Sequence, residues 1–495
     1  MKQKQSACSR RKFIGSTVTA LAGFTILPSH VIAGLGHRPP SERLNIAGIG
    51  VGGIGFRNLK QMETENIVAL CDVDAAYARR NSFREWATAP QYSDYRVMFD
   101  KQKDIDAVMI ATPDHSHALP ALMAMRQGIH VYLQMPLTHS VFEARVLAET
   151  AQKYQVVTQM GNQGNSGDGI RRICEWIWDG TIGEVLHVDA WTNRPIWPQE
   201  LKRPKKEMRV PKTLDWNSFI GPAPFRPYNK IYHPWNWRSW WDFGTGALGD
   251  MGCHILDPAF KALKLGYPSS VQGSSSQVNT ESAPNSELVV YEFPARDNLP
   301  KVAMPPVSMM WYDGGLMPPR PDGLEDNEQM GDEDGGCIFH GTNGKIMCGT
   351  YAKNPTLLPT RAMENFRQPE KSIRRIPNAM DGGHEQDWIR ACKETPGNRV
   401  EPSSNFRYAG PLTETVLLGV LAVRLQSLQR KLIWDGPGRR FTNISDQDQL
   451  QILTSDNFKL VDGDPHFNKK FTTLPARQTA EEWIRQNYRQ GWEQI

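Results

Sequence analysis

The glycine-rich stretch Gly48-Ile49-Gly50-Val51-Gly52-Gly53 constrains this chain more than any other feature, because it joins the apolar run Leu44 to Ala47 to a helical pattern from Phe56. A strand that turns on glycines into a helix opens a parallel, doubly wound sheet, and the free N–H groups at the helix start attract an anion. In the register Gly48-x-Gly50-x-x-Gly53, Gly48 permits the turn and Gly50 lets the backbone approach a pyrophosphate. Gly53, followed by Ile54, then allows close helix packing. A second apolar run, Ile67 to Cys71, ends at Asp72. It lies about twenty residues on, where a carboxylate holds a ribose 2′-OH. These residues predict a dinucleotide site for NAD rather than NADP. Asp74 is the local rival for the ribose, and the plain alternative for Asp72 is an acid opening a loop after a strand.

The alternation of strand and helix continues to Leu137, with Val108 to Ala111 and His130 to Leu133 separated by a helix from Ala118 to Gln127. In such a sheet ligands bind beyond the strand carboxyl ends. The loops Thr112-Pro113-Asp114-His115-Ser116-His117 and Gln134-Met135-Pro136 lie at two such ends. Thr112, Pro113, Gln134 and Met135 are therefore expected cofactor contacts, whereas His117 either touches the cofactor or caps the following helix. Asn162 and Gln163, after the apolar run ending at Met160, are expected to hydrogen-bond substrate. Beyond about residue 160, strands alternate with proline-rich stretches at 195–234 and 304–324, as in a second α+β domain. A helix from about Glu414 to Leu432 has the apolar period of a structural element.

Fifteen tryptophans are unusual, and several gather in Trp176-Ile177-Trp178, Trp191, Trp197 and the run from Tyr232 to Trp241. No single strand or helix buries every ring of that run, which suggests a cleft wall whose indole faces cover sugar C–H surfaces. The alternative is core filling. Seven cysteines contain no C-x-x-C pair, no spacing marks a metal site, and the acidic run Asp322 to Asp334 reads as a solvated loop. A net charge of +4 on 495 residues gives no nucleic-acid footprint.

Residues 1–33 carry Ser9-Arg10-Arg11-Lys12-Phe13 before a short, modestly apolar stretch, the pattern of a twin-arginine signal that directs a folded protein to the periplasm. No other segment reaches transmembrane length. Because a nicotinamide enzyme outside the cytoplasm has no obvious coenzyme pool, its NAD is expected to be tightly held and restored within each cycle.

The glycine loop, the Thr-Pro-x-x-x-His turn and a later Asp250-x-x-x-His254, in that order, resemble the Gfo/Idh/MocA oxidoreductase family. The stretches Gly161 to Gly164, Trp191 to Pro195 and Gly244 to Asp250 look like a branch seen in many exported bacterial members. The resemblance covers essentially the whole mature chain. It implies an α/β fold: a Rossmann doubly wound parallel sheet over residues 43–159, then an α+β domain with a large open, mostly antiparallel sheet over 160–470, and a tail at 471–495. It also implies a carbohydrate substrate and a homo-oligomer, dimer or tetramer.

The same resemblance implies chemistry at Asp250 and His254, whose i, i+4 spacing puts both on one helical face. There His254 takes a hydroxyl proton as hydride passes to nicotinamide, and Asp250 raises the imidazole pKa and holds a neighbouring hydroxyl. Without those motifs the pair reads as a helix acid and a buried, satisfied histidine. The family's Glu/Gln-Lys-Pro motif is broken here, since Met135 stands where the lysine belongs. Losing a cation beside a developing alkoxide without compensation costs on the order of 100- to 1000-fold in rate. Arg194, Arg238, His233 and Lys353 are the candidate replacements, and Arg194, His233, Trp235 and Arg238 are the expected substrate contacts. Three functions follow in order of preference: an exported sugar or glycoside oxidoreductase; a redox-neutral glycoside hydrolase or lyase working through a transient keto-sugar; and a non-catalytic sugar-binding homologue.

Overall fold

Six short segments pair in parallel, and the middle ones, largely apolar, are buried on both faces as such sheets require. They are β1 (Asn45–Ile49), β2 (Asn66–Cys71), β3 (Gln91–Tyr92), β4 (Ala107–Ile110), β5 (His130–Leu133) and β6 (Thr158–Met160), in the order β3-β2-β1-β4-β5-β6. All four residues of β4 are buried. The order reverses between β1 and β4, so a crevice opens at their carboxyl ends. The computed structural model describes residues 42–492, which from Leu44 onward form one unit. The twin-arginine motif and its apolar stretch lie outside the described residues. Among the described residues no helix is long and apolar enough to cross a membrane.

Helices of at least eight residues are numbered α1 (Ile54–Gln61), α2 (Ala118–Arg126), α3 (Val141–Tyr154), α4 (Asp168–Trp178), α5 (Gly246–Ile255), α6 (His384–Cys392), α7 (Phe406–Arg424) and α8 (Ala476–Arg485). The start of α3 is set by reciprocal capping, Ser140 accepting from the Glu143 N–H and Glu143 from that of Ser140. Helix α7 departs from the expected span of Glu414 to Leu432. It begins at Phe406 because the Asn405 side chain accepts from the N–H groups of Arg407 and Tyr408, and it passes through Pro411, a residue that reads as a breaker in the sequence. It ends at Arg424; Gln429 then takes a left-handed φ of 51° before a strand begins at Leu432.

The second sheet has nine strands: β7 (Val185–Thr192), β8 (Ser270–Ser275), β9 (Glu287–Phe293), β10 (Val307–Tyr312), β11 (Gly335–Gly341), β12 (Gly344–Gly349), β13 (Thr356–Leu358), β14 (Leu432–Asp435) and β15 (Arg440–Phe441). Their order is β13-β12-β11-β7-β10-β9-β8-β14-β15, and only the β7–β10 pair is parallel. This is the mostly antiparallel sheet expected. A separate hairpin of β16 (Gln449–Val461) and β17 (Asp464–Pro475) turns at Asp462-Gly463, both at positive φ, and exposes Phe458 and Phe467.

The chain returns to its first domain after leaving it. Trp388 and Ile389 of α6 share a core with Ile46, Leu59, Met109 and Tyr132. Glu414 of α7, fully buried, pairs with Arg145 of α3. The expected boundary at residue 160 therefore cuts β6 and separates segments that pack together, and the expected 471–495 tail contains the end of β17 and helix α8.

The tryptophan run divides between two roles. Tyr232 and Trp240 join Trp216, Phe219 and Phe243 in a small core of their own, and Trp241 enters the main core with Trp176. Of the tryptophans in that run, only Trp235 and Trp237 line the cleft described next. The cleft-wall expectation holds for those two indoles and fails for Trp240 and Trp241, whose loop closes back on itself.

Candidate active site

The loops following β1, β4, β5 and β6 open on a cavity of about 750 Å³, closed on the other side by α5 and the segments 194–197 and 233–238. Backbone space places the glycine roles two residues later than the sequence suggested. Gly48 lies within β1, where an added Cβ would meet Val51 and Leu59 at 2.7 and 2.8 Å. The turn falls at Gly50, whose φ is +76° and whose Cβ would lie 2.6 Å from the Ala111 carbonyl. Close helix packing depends on Gly55, where a Cβ would come within 2.3 Å of the Gly50 oxygen, whereas at Gly53 the nearest atom is 3.5 Å away. The working register is Gly50-x-Gly52-x-x-Gly55. Gly53 and Ile54 still line the cavity.

Asp72 lines the same cavity and accepts from the N–H groups of Gly52 at 2.8 Å and Asp74 at 2.9 Å. Burial pushes its carboxyl up to about 6 against those donors. Thr112, Pro113, Gln134 and Met135 line the cavity, and Gln134 is braced through Asn58 to Glu385 on α6. His117 does not line it. Its ring bridges the carbonyls of Thr112 at 2.7 Å and Pro136 at 2.8 Å, so it ties two cofactor loops together from behind.

On the substrate side, Asp250 and His254 project from α5 into the cavity. Burial lowers the His254 pKa to about 4, outweighing the upward pull of Asp250, so the expected net rise is reversed. The ring is neutral at pH 7 and able to accept a proton. Asp250 is engaged by Arg238, whose Nε donates to Oδ1 at 2.9 Å, and the Arg238 guanidinium lies 4.1 and 4.3 Å from the Trp235 and Trp237 ring centroids. Arg238 thus places a cation in the lining beside the acid–histidine pair. Arg194 also lines the cavity but is tied to Asp334 at 2.8 Å, His233 is bonded to Asp74 at 3.0 Å, and Lys353 is not among the lining residues.

Asn162 is not a substrate contact. Its fully buried amide donates to Asp257 at 3.0 Å and its oxygen accepts from Ser404, making it a strut under the site. Gln163 does line the cavity. Its Oε1, together with Nδ1 of His254 and Nδ1 of His233, is buried without a hydrogen-bond partner in the protein. Buried polar atoms are normally paired. Three unpaired ones around one cavity, beside a backbone cradle that a single Cβ would fill, fit a dinucleotide and a polar substrate.

Among the lining residues that escaped the sequence reading, two bear on the chemistry of the site. Asp114, buried and pushed up to about 7, accepts from Thr245 Oγ1 at 2.6 Å and joins the β4 loop to the start of α5. It sits in a loop the sequence singled out, but between the positions chosen. Tyr351 packs edge-on to His254 with centroids 4.7 Å apart, held by a turn in which Tyr351, Ala352 and Asn354 all have φ between 48° and 62°. No motif marks it, although such strain in non-glycine residues commonly accompanies a site.

A family model described as an oxidoreductase family with an NAD-binding Rossmann fold matches residues 44–162, and one described as an oxidoreductase-family C-terminal alpha/beta domain matches 181–292. Among curated proteins, glycosyl hydrolase family 109 protein 1 of Shewanella sp. (strain MR-4) is 30% identical over 192 residues, 37% of this chain and 40% of that protein's length. The 2,7-anhydro-N-acetylneuraminate hydratase of Mediterraneibacter gnavus is 23% identical over 62% of this chain and 79% of its own. The solved structure of GenD2 from gentamicin A biosynthesis, in complex with NAD, shares the fold with a TM-score of 0.53 at 16% identity, covering 84% of this chain and all of that one. The two family models follow one another in the order of the two sheets, each falling on its own domain. The chain therefore belongs to the Gfo/Idh/MocA oxidoreductase family.

Proposed function

We propose that this protein is an exported NAD-dependent enzyme that oxidises a hydroxyl of a sugar or glycoside, with His254 as the base. The observation that carries the proposal is a neutral, buried histidine with an unpaired Nδ1, in the same cavity as the glycine turn. NAD, when bound, supplies the acceptor for the two electrons. The protein's own residues do the rest. The His254 imidazole takes the hydroxyl proton, Arg238 and Asp250 hold neighbouring oxygens, and the Trp235 and Trp237 faces cover the apolar side of the ring.

A redox-neutral reading, in which transient oxidation labilises a glycosidic bond, draws support from relatives named as a glycosyl hydrolase and a hydratase. Both names describe reactions with no net change of oxidation state. Incubating the protein with a panel of glycosides separates the two, since reduced cofactor accumulates under the first reading and free sugar appears without it under the second. Neither product from any glycoside or free sugar would leave the sugar-binding reading.

Met135 also bears on that choice. Arg238 already brings a cation to the lining, so the site is expected to work without the lysine, and Met135→Lys is expected to lower turnover by about tenfold through charge crowding. A large gain in dehydrogenation would instead mark a lapsed activity. Export is checked by replacing Arg10 and Arg11 with lysine, which is expected to strand the precursor in the cytoplasm. Stoichiometric nucleotide released on denaturing the exported protein would support a trapped cofactor. The homo-oligomer, dimer or tetramer, is read from the family resemblance, and sedimentation of the same material checks it.

A further inference from the structure

We propose that His187, Asp189 and His340 form a divalent metal site, suited to Zn²⁺, on the face of the nine-stranded sheet opposite the α7 side. Alternation along the strands places the three together. Val188 and Ala190 of β7 and Cys337 and Phe339 of β11 point into the main core with α7, so His187, Asp189 and His340 point the other way. In the antiparallel register His187 lies opposite His340, and Asp189, opposite Ile338, is two residues along on the same side.

The donor atoms already converge. His187 Nε2 is 3.0 Å from Asp189 Oδ1, His340 Nε2 is 2.9 Å from Oδ2, and a set of one ligand atom from each residue lies within 4.8 Å of one another. Tetrahedral zinc with bonds of about 2.0–2.1 Å needs its ligand atoms about 3.3 Å apart, so small side-chain rotations suffice. The Tyr312 hydroxyl donates to Asp189 Oδ1 at 3.2 Å, the outer-sphere contact that fixes a ligating carboxylate. Two imidazoles and one carboxylate suit Zn²⁺ better than the all-oxygen preference of Ca²⁺ or Mg²⁺. Access is available from the histidine side, because the His187 and His340 side chains are 31% and 27% exposed while that of Asp189 is 6% exposed. The fourth position falls to water. None of the three residues lines the catalytic cavity, so the site is independent of the proposed oxidation.

The competing arrangement is a self-contained network in which Asp189 simply accepts from both rings. Titration of the untagged, chelator-stripped full chain with ZnCl₂ at neutral pH decides between them. One zinc per chain is expected, with His187→Ala and His340→Ala each weakening binding by at least about 100-fold and Tyr312→Phe by about tenfold. Co²⁺ should give the visible absorption of a tetrahedral site in the unaltered chain and not in either histidine variant. Circular dichroism of the metal-free variants checks that they fold, and Asp189→Asn provides an independent ligand loss. Failure of the unaltered chain to take up stoichiometric zinc, or uptake unchanged in both histidine variants, would overturn the site.

Discussion

His254→Asn is expected to lower kcat by about 10²- to 10⁴-fold while leaving the NAD content of the purified protein unchanged. The proposed proton acceptor is lost, whereas the glycine turn and Asp72, proposed to face the dinucleotide, are untouched. The pH profile gives a second reading of the same residue. Burial lowers the His254 pKa from 6.5 to about 4, and as the proposed base the ring works in its neutral form, so the acid limb of kcat/KM should fall near pH 4. The sign for stability follows from the same shift. The folded state binds fewer protons than the unfolded state, so the contribution of His254 is fully present above pH 6.5 and lost as pH falls through about 4. Thermal melts across that window check it. An acid limb near pH 7 would implicate Asp114, which burial pushes up to about 7, and Asp114→Asn would then remove that limb.

The glycine turn predicts an order of damage that distinguishes the two registers. Gly50→Ala forces a left-handed φ on a residue with a Cβ and drives that atom to 2.6 Å from the Ala111 backbone, at the point where the strand order reverses. We expect a loss of about 1–3 kcal/mol in stability and of more than about 100-fold in NAD affinity. Gly55→Ala should come next, since its Cβ meets the Gly50 carbonyl at 2.3 Å, and Gly53→Ala should be the mildest of the three. Calorimetric titration with NAD on protein stripped of cofactor ranks them. If Gly53→Ala proves the most damaging, the turn follows the register read from the sequence.

Local pattern carried β1, β2, β4 and β5 of the first sheet well, because each is short, apolar and punctuated by its own turn, whereas the two-residue β3, Gln91–Tyr92, has no apolar run to mark it. The element His130–Leu133 was legible to the residue, as was the start of α2. The glycine register was less legible: five glycines between 48 and 55 satisfy the spacing in two ways, and the close approaches of Gly50 to Ala111 and of Gly55 to Gly50 select one. His117 and Asn162 failed as site residues for a shared reason. A polar side chain after a buried strand can face a ligand or a neighbouring polar group of the protein, and the sequence does not reveal where that partner is. Asp189 and His340 are 151 residues apart, so no spacing rule joins them to His187. Tyr351 depends on a strained turn that leaves no motif behind.

The return of α6 to the first core bears on how the protein is made. Until residue 392 has been synthesised, Ile46, Leu59, Met109 and Tyr132 lack the helix that shares their core, and Arg145 waits longer still for Glu414. The emerging half-protein therefore presents an unfinished apolar surface to the ribosome's surroundings and to any chaperone there. Gln134 at the cofactor loop is braced through Asn58 to Glu385, so the dinucleotide pocket is not fully assembled until most of the chain exists. Cofactor capture is in this sense a late event of biosynthesis, an indicator that translation has passed α6.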